Sequence, residues 1–183
     1  NLVGFKIGKT DWEFITNSFV IFPKIGFHFD DFGHGPGNAV ITQSGSDICP
    51  VAVRVDRVQS HAGVQFANAQ FMATVEVAET NEGPVKFTNC GFWGAEETQA
   101  HAVKHGPSTL IFNGCHFTRW DRAGAGEACI SADGGRLIIQ GCDFMDPDKV
   151  QIVLEQGLTA AAIVGNTFRG APGVVNRSDG KVE

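Results

Sequence analysis

The 183-residue sequence predicts an all-β fold, a parallel β-helix, or solenoid, of about six to seven coils. Three observations predict it. An eight-residue phrase returns six times with apolar residues at its first, third and eighth positions, and alternation with period two belongs to strands rather than helices. The copies start 39, 34, 25, 27 and 24 residues apart, the irregular spacing of a stack whose outward turns accept insertions. Twenty-three glycines accompany almost no uninterrupted helical pattern.

The copies are Trp12 to Phe19, Val51 to Val58, Val85 to Phe92, Leu110 to Phe117, Leu137 to Phe144 and Ala161 to Phe168. If each coil lies on the previous one at about 4.8 Å, a repeated position becomes a column. The eighth position then reads Phe19, Val58, Phe92, Phe117, Phe144, Phe168, and the sixth reads Asn17, Asp56, Cys90, Cys115, Cys142, Asn166. Both columns are expected to face inward, and the two long first intervals are expected to carry the larger loops. Val64 to Phe71 (VQFANAQF) also fits the phrase. Val51 to Val58 is preferred because Gly63-Val64-Gln65-Phe66 echoes Gly26-Phe27-His28-Phe29, a strand that follows the phrase. Further closing strands are read at Ile25 to Phe29, Val64 to Phe66, Thr74 to Val77, Ala100 to Val103, Ala128 to Ser131 and Gln151 to Leu154, three of them ended by Gly106, Gly134 and Gly157.

Composition suits one domain spanning residues 1–183, with 43% hydrophobic and 19% charged residues to supply a continuous core. A net charge of -6 and a pI near 5.5 argue against nucleic-acid binding, which needs a basic face. No long apolar run suggests membrane insertion. Cys90, Cys115 and Cys142 read as a buried thiol column, because free cysteine packs as a small apolar residue; Cys49 and Cys129 show no metal-ligand spacing.

Phrases such as "VKFTNCGF", "LIFNGCHF" and "LIIQGCDF", each followed by a polar turn and a short strand, resemble coils of right-handed parallel β-helix proteins of the pectate lyase superfamily. The resemblance covers nearly the whole chain. It implies right-handed coiling, in keeping with the rule for parallel crossovers. It also implies a secreted or cell-envelope protein that binds, and in enzymatic members cleaves, a polysaccharide. Lyases, hydrolases, esterases, tailspikes and adhesins share the fold, so it does not select a reaction.

Enzymes of that superfamily commonly work in an outside groove across stacked strands. Aligning the strands before Gly106, Gly134 and Gly157 collects Lys104, His105, Asp133 and Glu155 as catalytic candidates, with Gln156 beside them. Lys104 or His105 could take a proton α to a uronate carboxyl; Asp133 and Glu155 could hold Ca²⁺ or act as an acid pair. Solvated strand-end residues are the plainer account of the same positions, and on either account removal of Lys104 leaves stability nearly unchanged. A second ridge places Trp93, Arg119, Trp120, Asp121 and Arg122 on neighbouring turns, with Asp146 and Asp148 on the next. It reads as a sugar-binding platform or as packing beneath a turn. Asp30-Asp31-Phe32-Gly33-His34-Gly35 is similar to the Asp pair and Gly-His-Gly of polygalacturonases, but those lie on successive coils and here they are nearly contiguous. Neither an upstream Asn-Thr-Asp nor a downstream Arg-Ile-Lys accompanies it.

An uncovered terminal coil exposes backbone donors and apolar side chains. The start of the coil pattern close to Asn1 therefore predicts either a preceding segment or another subunit over the first coil. A structural or adhesive stalk is accordingly the alternative to a carbohydrate-active domain.

Overall fold

Alternating apolar and polar residues make strands with one buried face, and twenty-three strands among the described residues realise the pattern here. The computed structural model describes residues 2–171 and 173–183, and among them every regular element is a strand. All pairings are parallel, and successive strands of a sheet come from successive coils, giving a β-solenoid of about seven turns.

The first sheet stacks Val3–Ile7, Ile25–Phe29, Val51–Val55, Thr74–Val77, Ala102–Lys104, Ile130–Ala132, Ile152–Leu154 and Val174–Asn176. The second stacks Glu13–Thr16, Ala39–Thr42, Val64–Ala67, Val85–Thr88, Thr109–Asn113, Gly135–Gln140, Leu158–Val164 and Lys181–Val182. The third stacks Phe19–Ile21, Gly45–Asp47, Gln70–Phe71, Gly91–Trp93, His116–Thr118, Asp143–Phe144 and Thr167–Phe168. The eight-residue phrase is thus a second-sheet strand, a corner, and a third-sheet strand.

Register corrects the sequence reading in the first half of the chain. Val85 stands on Val64, Val64 on Ala39, and Ala39 on Glu13. The phrase at Val64 to Phe71 therefore occupies the column, a further copy lies at Ala39 to Ser46, and the first copy begins at Glu13 rather than Trp12. Val51–Val55 belongs to the first sheet, between Ile25–Phe29 and Thr74–Val77. With these copies in place the long first intervals disappear, and so do the large loops expected there.

The corner between the second and third sheets explains the correction. The fifth residue of each phrase, Asn17, Gln43, Asn68, Asn89, Gly114, Gly141 and Gly165, has a positive φ between 50° and 67°. Only glycine adopts that conformation freely, and asparagine tolerates it better than other residues, so five-position Asn or Gly marks the bend. Asn17 is the bend residue. Phe19 then points outward, paired with Gly45, and Val20 takes the inward place.

Inside, the eighth-position row runs Phe71, Phe92, Phe117, Phe144, Phe168, with consecutive ring centroids 5.3, 4.9, 5.0 and 5.1 Å apart. Phe66, Phe87 and Phe112 form a second stack at 5.1 and 5.2 Å, meeting the first edge-on. Buried aromatics contribute large apolar areas, and offset and edge-on contacts add to that. Cys90, Cys115 and Cys142 are buried free thiols in one row, as expected, each within reach of a backbone carbonyl. The Cys142 and Cys90 thiols beside it, together with burial, push the Cys115 thiol above its ordinary range.

Candidate functional site

On a strand, neighbouring side chains face opposite ways, so each strand of the first sheet turns alternate residues outward, most of them polar. Register aligns Lys6, His28, Arg54, Glu76, Val103, Ser131 and Val153 in that row. Two residues further on, at the strand ends, backbone amides continue the ladder through Asp30, Asp56, Ala78, His105, Asp133, Glu155 and Arg177. The two rows form one face of the solenoid.

Polar groups on this face are paired along the stack. His28 Nε2 lies 2.7 Å from Asp56, and Arg54 Nε lies 3.1 Å from both oxygens of the same carboxylate. Arg54 also reaches Glu76 at 3.4 Å, and its bond to Asp56 raises its pKa. His105 Nδ1 lies 2.6 Å from Asp133, and Arg177 donates to Glu155 at 2.6 Å. A depression of about 450 Å³ is lined by Arg54, Asp56, Glu76, Val103 and His105. Val103 and His105 also line a second depression with Ser131, Asp133, Glu155 and Arg177, so the two form one groove running across the coils.

Of the four catalytic candidates, His105, Asp133 and Glu155 line this groove. Lys104 is fully buried. It occupies the inward row between Val77 and Ala132, and its ammonium donates to the carbonyls of Gly106 at 2.7 Å and Gly134 at 2.5 Å. Burial lowers its pKa to about 8, Asp133 opposing the shift. Adjacent strand residues cannot share a face, so Lys104 and His105 could never both have entered the groove. Its burial and two carbonyl partners are contrary to the expectation of a solvated lysine. Asp133 and Glu155, the expected Ca²⁺ pair, are engaged by His105 and Arg177.

The second ridge is dispersed in the same way. Trp120 is fully buried against Phe144 and His101, and its indole donates to Val150 O at 3.0 Å, so its ring is not available to a sugar. Asp121 is buried and accepts the amides of Ala125 and Gly126, holding the 121–126 turn closed. Trp93 stands outward beside Thr118, partly exposed, while Arg119 and Arg122 are exposed. Asp146 accepts from Thr118 and from the Arg119 amide. Trp120 and Asp121 thus pack beneath the turn, while Trp93, Arg119 and Arg122 stay at the surface.

In the Asp30 to Gly35 segment, Asp30 lies beside His28 and Asp56 on the same face, whereas Asp31 pairs with Arg57 at 2.7 Å and His34 is exposed. The amide of Gly33 lowers the Asp31 pKa most, burial opposes it, and the Arg57 guanidinium lowers it further. Sequence reasoning missed His28, Arg54, Asp56 and Glu76. The signal was present in "GFHF", "VAVRV" and "TVEV", where one polar residue sits between apolar ones, but placing Val51 to Val58 in the wrong sheet concealed the row.

Compared with protein-family models, curated proteins and solved structures, the chain has no match.

Proposed function

We propose that this β-solenoid binds a polysaccharide in the groove on the outer face of its first sheet, and that His105 with Asp133 supplies the acid–base chemistry for cleaving it. The observation that carries the reading is the pair of adjacent rows between His28 and Arg177, polar except at Ala78, Val103 and Val153, which presents donors and acceptors along the coils to an extended ligand. An imidazole held by a carboxylate is suited to proton transfer near neutral pH. Pairing of Arg54 and Arg177 with carboxylates favours hydroxyl-rich sugars over strongly anionic ones, since no groove arginine is left without an acidic partner among the described residues. The resemblance of the coil phrases to the pectate lyase superfamily supports the same ligand class, right-handed coiling and a secreted or envelope location.

The test is a screen of the purified chain against neutral and acidic polysaccharides, with and without Ca²⁺, following binding, reducing ends and unsaturated uronate absorbance. Binding weakened by His105→Ala and Asp133→Asn supports the groove. Products that appear with the native chain and vanish in those variants support cleavage. No binding to any member of the panel overturns the proposal.

One observation favours a second reading, a structural stalk that packs against another copy of itself. Trp12, Phe14, Phe19 and Phe22 in the segment of residues 3–22 are 59%, 68%, 51% and 69% exposed. Phe14 and Phe19 point outward, where the next coils carry Val40 and Gln65, or Gly45 and Gln70. At ~150–250 Å² per aromatic side chain the four expose roughly 500 Å². That is most of the ~800 Å² per partner of a stable interface. A dimer or trimer in light scattering that Phe14→Ser plus Phe19→Ser converts to monomer supports this reading; a native monomer at high concentration refutes it.

A further inference from the structure

We propose that His28, Asp30 and Asp56 bind a divalent transition-metal cation of the zinc or manganese class, clipping two adjacent coils together at one end of the groove. His28 and Asp30 are two residues apart where the Ile25–Phe29 strand ends, so both face outward. Asp56 arrives one coil later, placed by its amide, which donates to Phe29 O at 2.9 Å. One ligand atom from each of the three residues lies within 4.8 Å of the other two, and all three side chains are partly buried.

The donor set selects the ion. One imidazole nitrogen with two carboxylates suits zinc or manganese, whereas Ca²⁺ and Mg²⁺ take oxygen ligands. Three protein ligands also leave coordination positions for water or a ligand hydroxyl, as open rather than closed sites do. The surroundings hold the ligands in place. Phe32 meets the His28 ring edge-on at 5.2 Å and itself lies 4.1 Å below the Lys6 ammonium. The Asp31 amide donates to one oxygen of Asp30 at 2.8 Å, leaving the other oxygen for the ion. Arg54 is the competitor. Its guanidinium on Asp56 supplies positive charge where the cation would bind, so it weakens the site without closing it.

The experiment uses metal alone, so its outcome does not depend on polysaccharide binding. Zn²⁺, Mn²⁺ and Ca²⁺ are titrated into the purified chain by calorimetry, with melting temperature recorded at each concentration. Zn²⁺ or Mn²⁺ should bind at one ion per chain and raise the melting temperature. His28→Ala and Asp30→Asn should each weaken binding by tenfold or more, while Asp143→Asn, on the third sheet, leaves it unchanged. Arg54→Gln should tighten binding severalfold, a gain that an unfolded variant cannot imitate. Absence of saturable Zn²⁺ and Mn²⁺ binding, affinity unchanged in the His28 and Asp30 variants, weaker binding by Arg54→Gln, or Ca²⁺ binding as tight as Zn²⁺ would each overturn the proposal.

Discussion

Replacing Phe117 by alanine tests the register of the whole solenoid. Its ring is fully buried, stacked 4.9 Å from Phe92 and 5.0 Å from Phe144, and met edge-on by Phe112 at 5.2 Å. Stacked coils are held by continuous backbone ladders on all three sheets, so neighbours cannot collapse into the space that the ring leaves. A cavity of that kind costs about 3–5 kcal/mol. The matched control is Phe19→Ala. The naive phrase puts Phe19 in the same column as Phe117, whereas the structure leaves it 51% exposed beside Gly45. That change should cost less than about 1 kcal/mol, as surface substitutions do. Urea denaturation followed by circular dichroism measures both, provided that the transition is shown to be two-state. Equal losses in the two variants would refute the register, and a Phe117→Ala loss below about 1 kcal/mol would refute the packing argument.

Further predictions concern buried polar groups and the groove. His101 is fully buried, its Nε2 donating to Thr118 O at 2.8 Å, and burial lowers its pKa to about 4 from 6.5. The unfolded chain therefore binds more protons across that window, so stability should fall as pH drops from about 6.5 to about 4, by up to ~3 kcal/mol. His101→Gln, compared with the native chain in melts across that range, should flatten the dependence. Lys104→Ala removes the donor to two turn carbonyls and should cost about 2–4 kcal/mol. Lys104→Met keeps the apolar stem and should cost less, and an unaltered melting temperature in the alanine variant would contradict the burial of Lys104. The Lys104 pKa is lowered to about 8, so it resists protonation relative to the unfolded chain, and native stability should rise between about pH 8 and 10.5. His105→Ala should leave the melting temperature within about 1 °C while weakening any polysaccharide binding, because its ring is half exposed and its partner Asp133 remains solvated. A large thermal loss would instead assign the pair a structural role.

Local alternation was sufficient to read the class of fold, the Phe117 column and the buried row of Cys90, Cys115 and Cys142. Each depends only on which residues within one strand share a face, and that is a property of the strand itself. The groove was legible in fragments: His105, Asp133 and Glu155 were read together and do share its lining, but Lys104 was grouped with them across strand parity, and Trp120 looked like a surface platform until its place beneath the turn was seen. Register in the first coils was not legible, because Val51 to Val58 and Val64 to Phe71 fit the same phrase and only their ladders distinguish them. Nor could the chain alone bring His28 to Asp56 or Arg54 to Glu76. Those meetings join residues of different coils, and they exist because backbone hydrogen bonding between coils fixes which outward side chains stand one above the other.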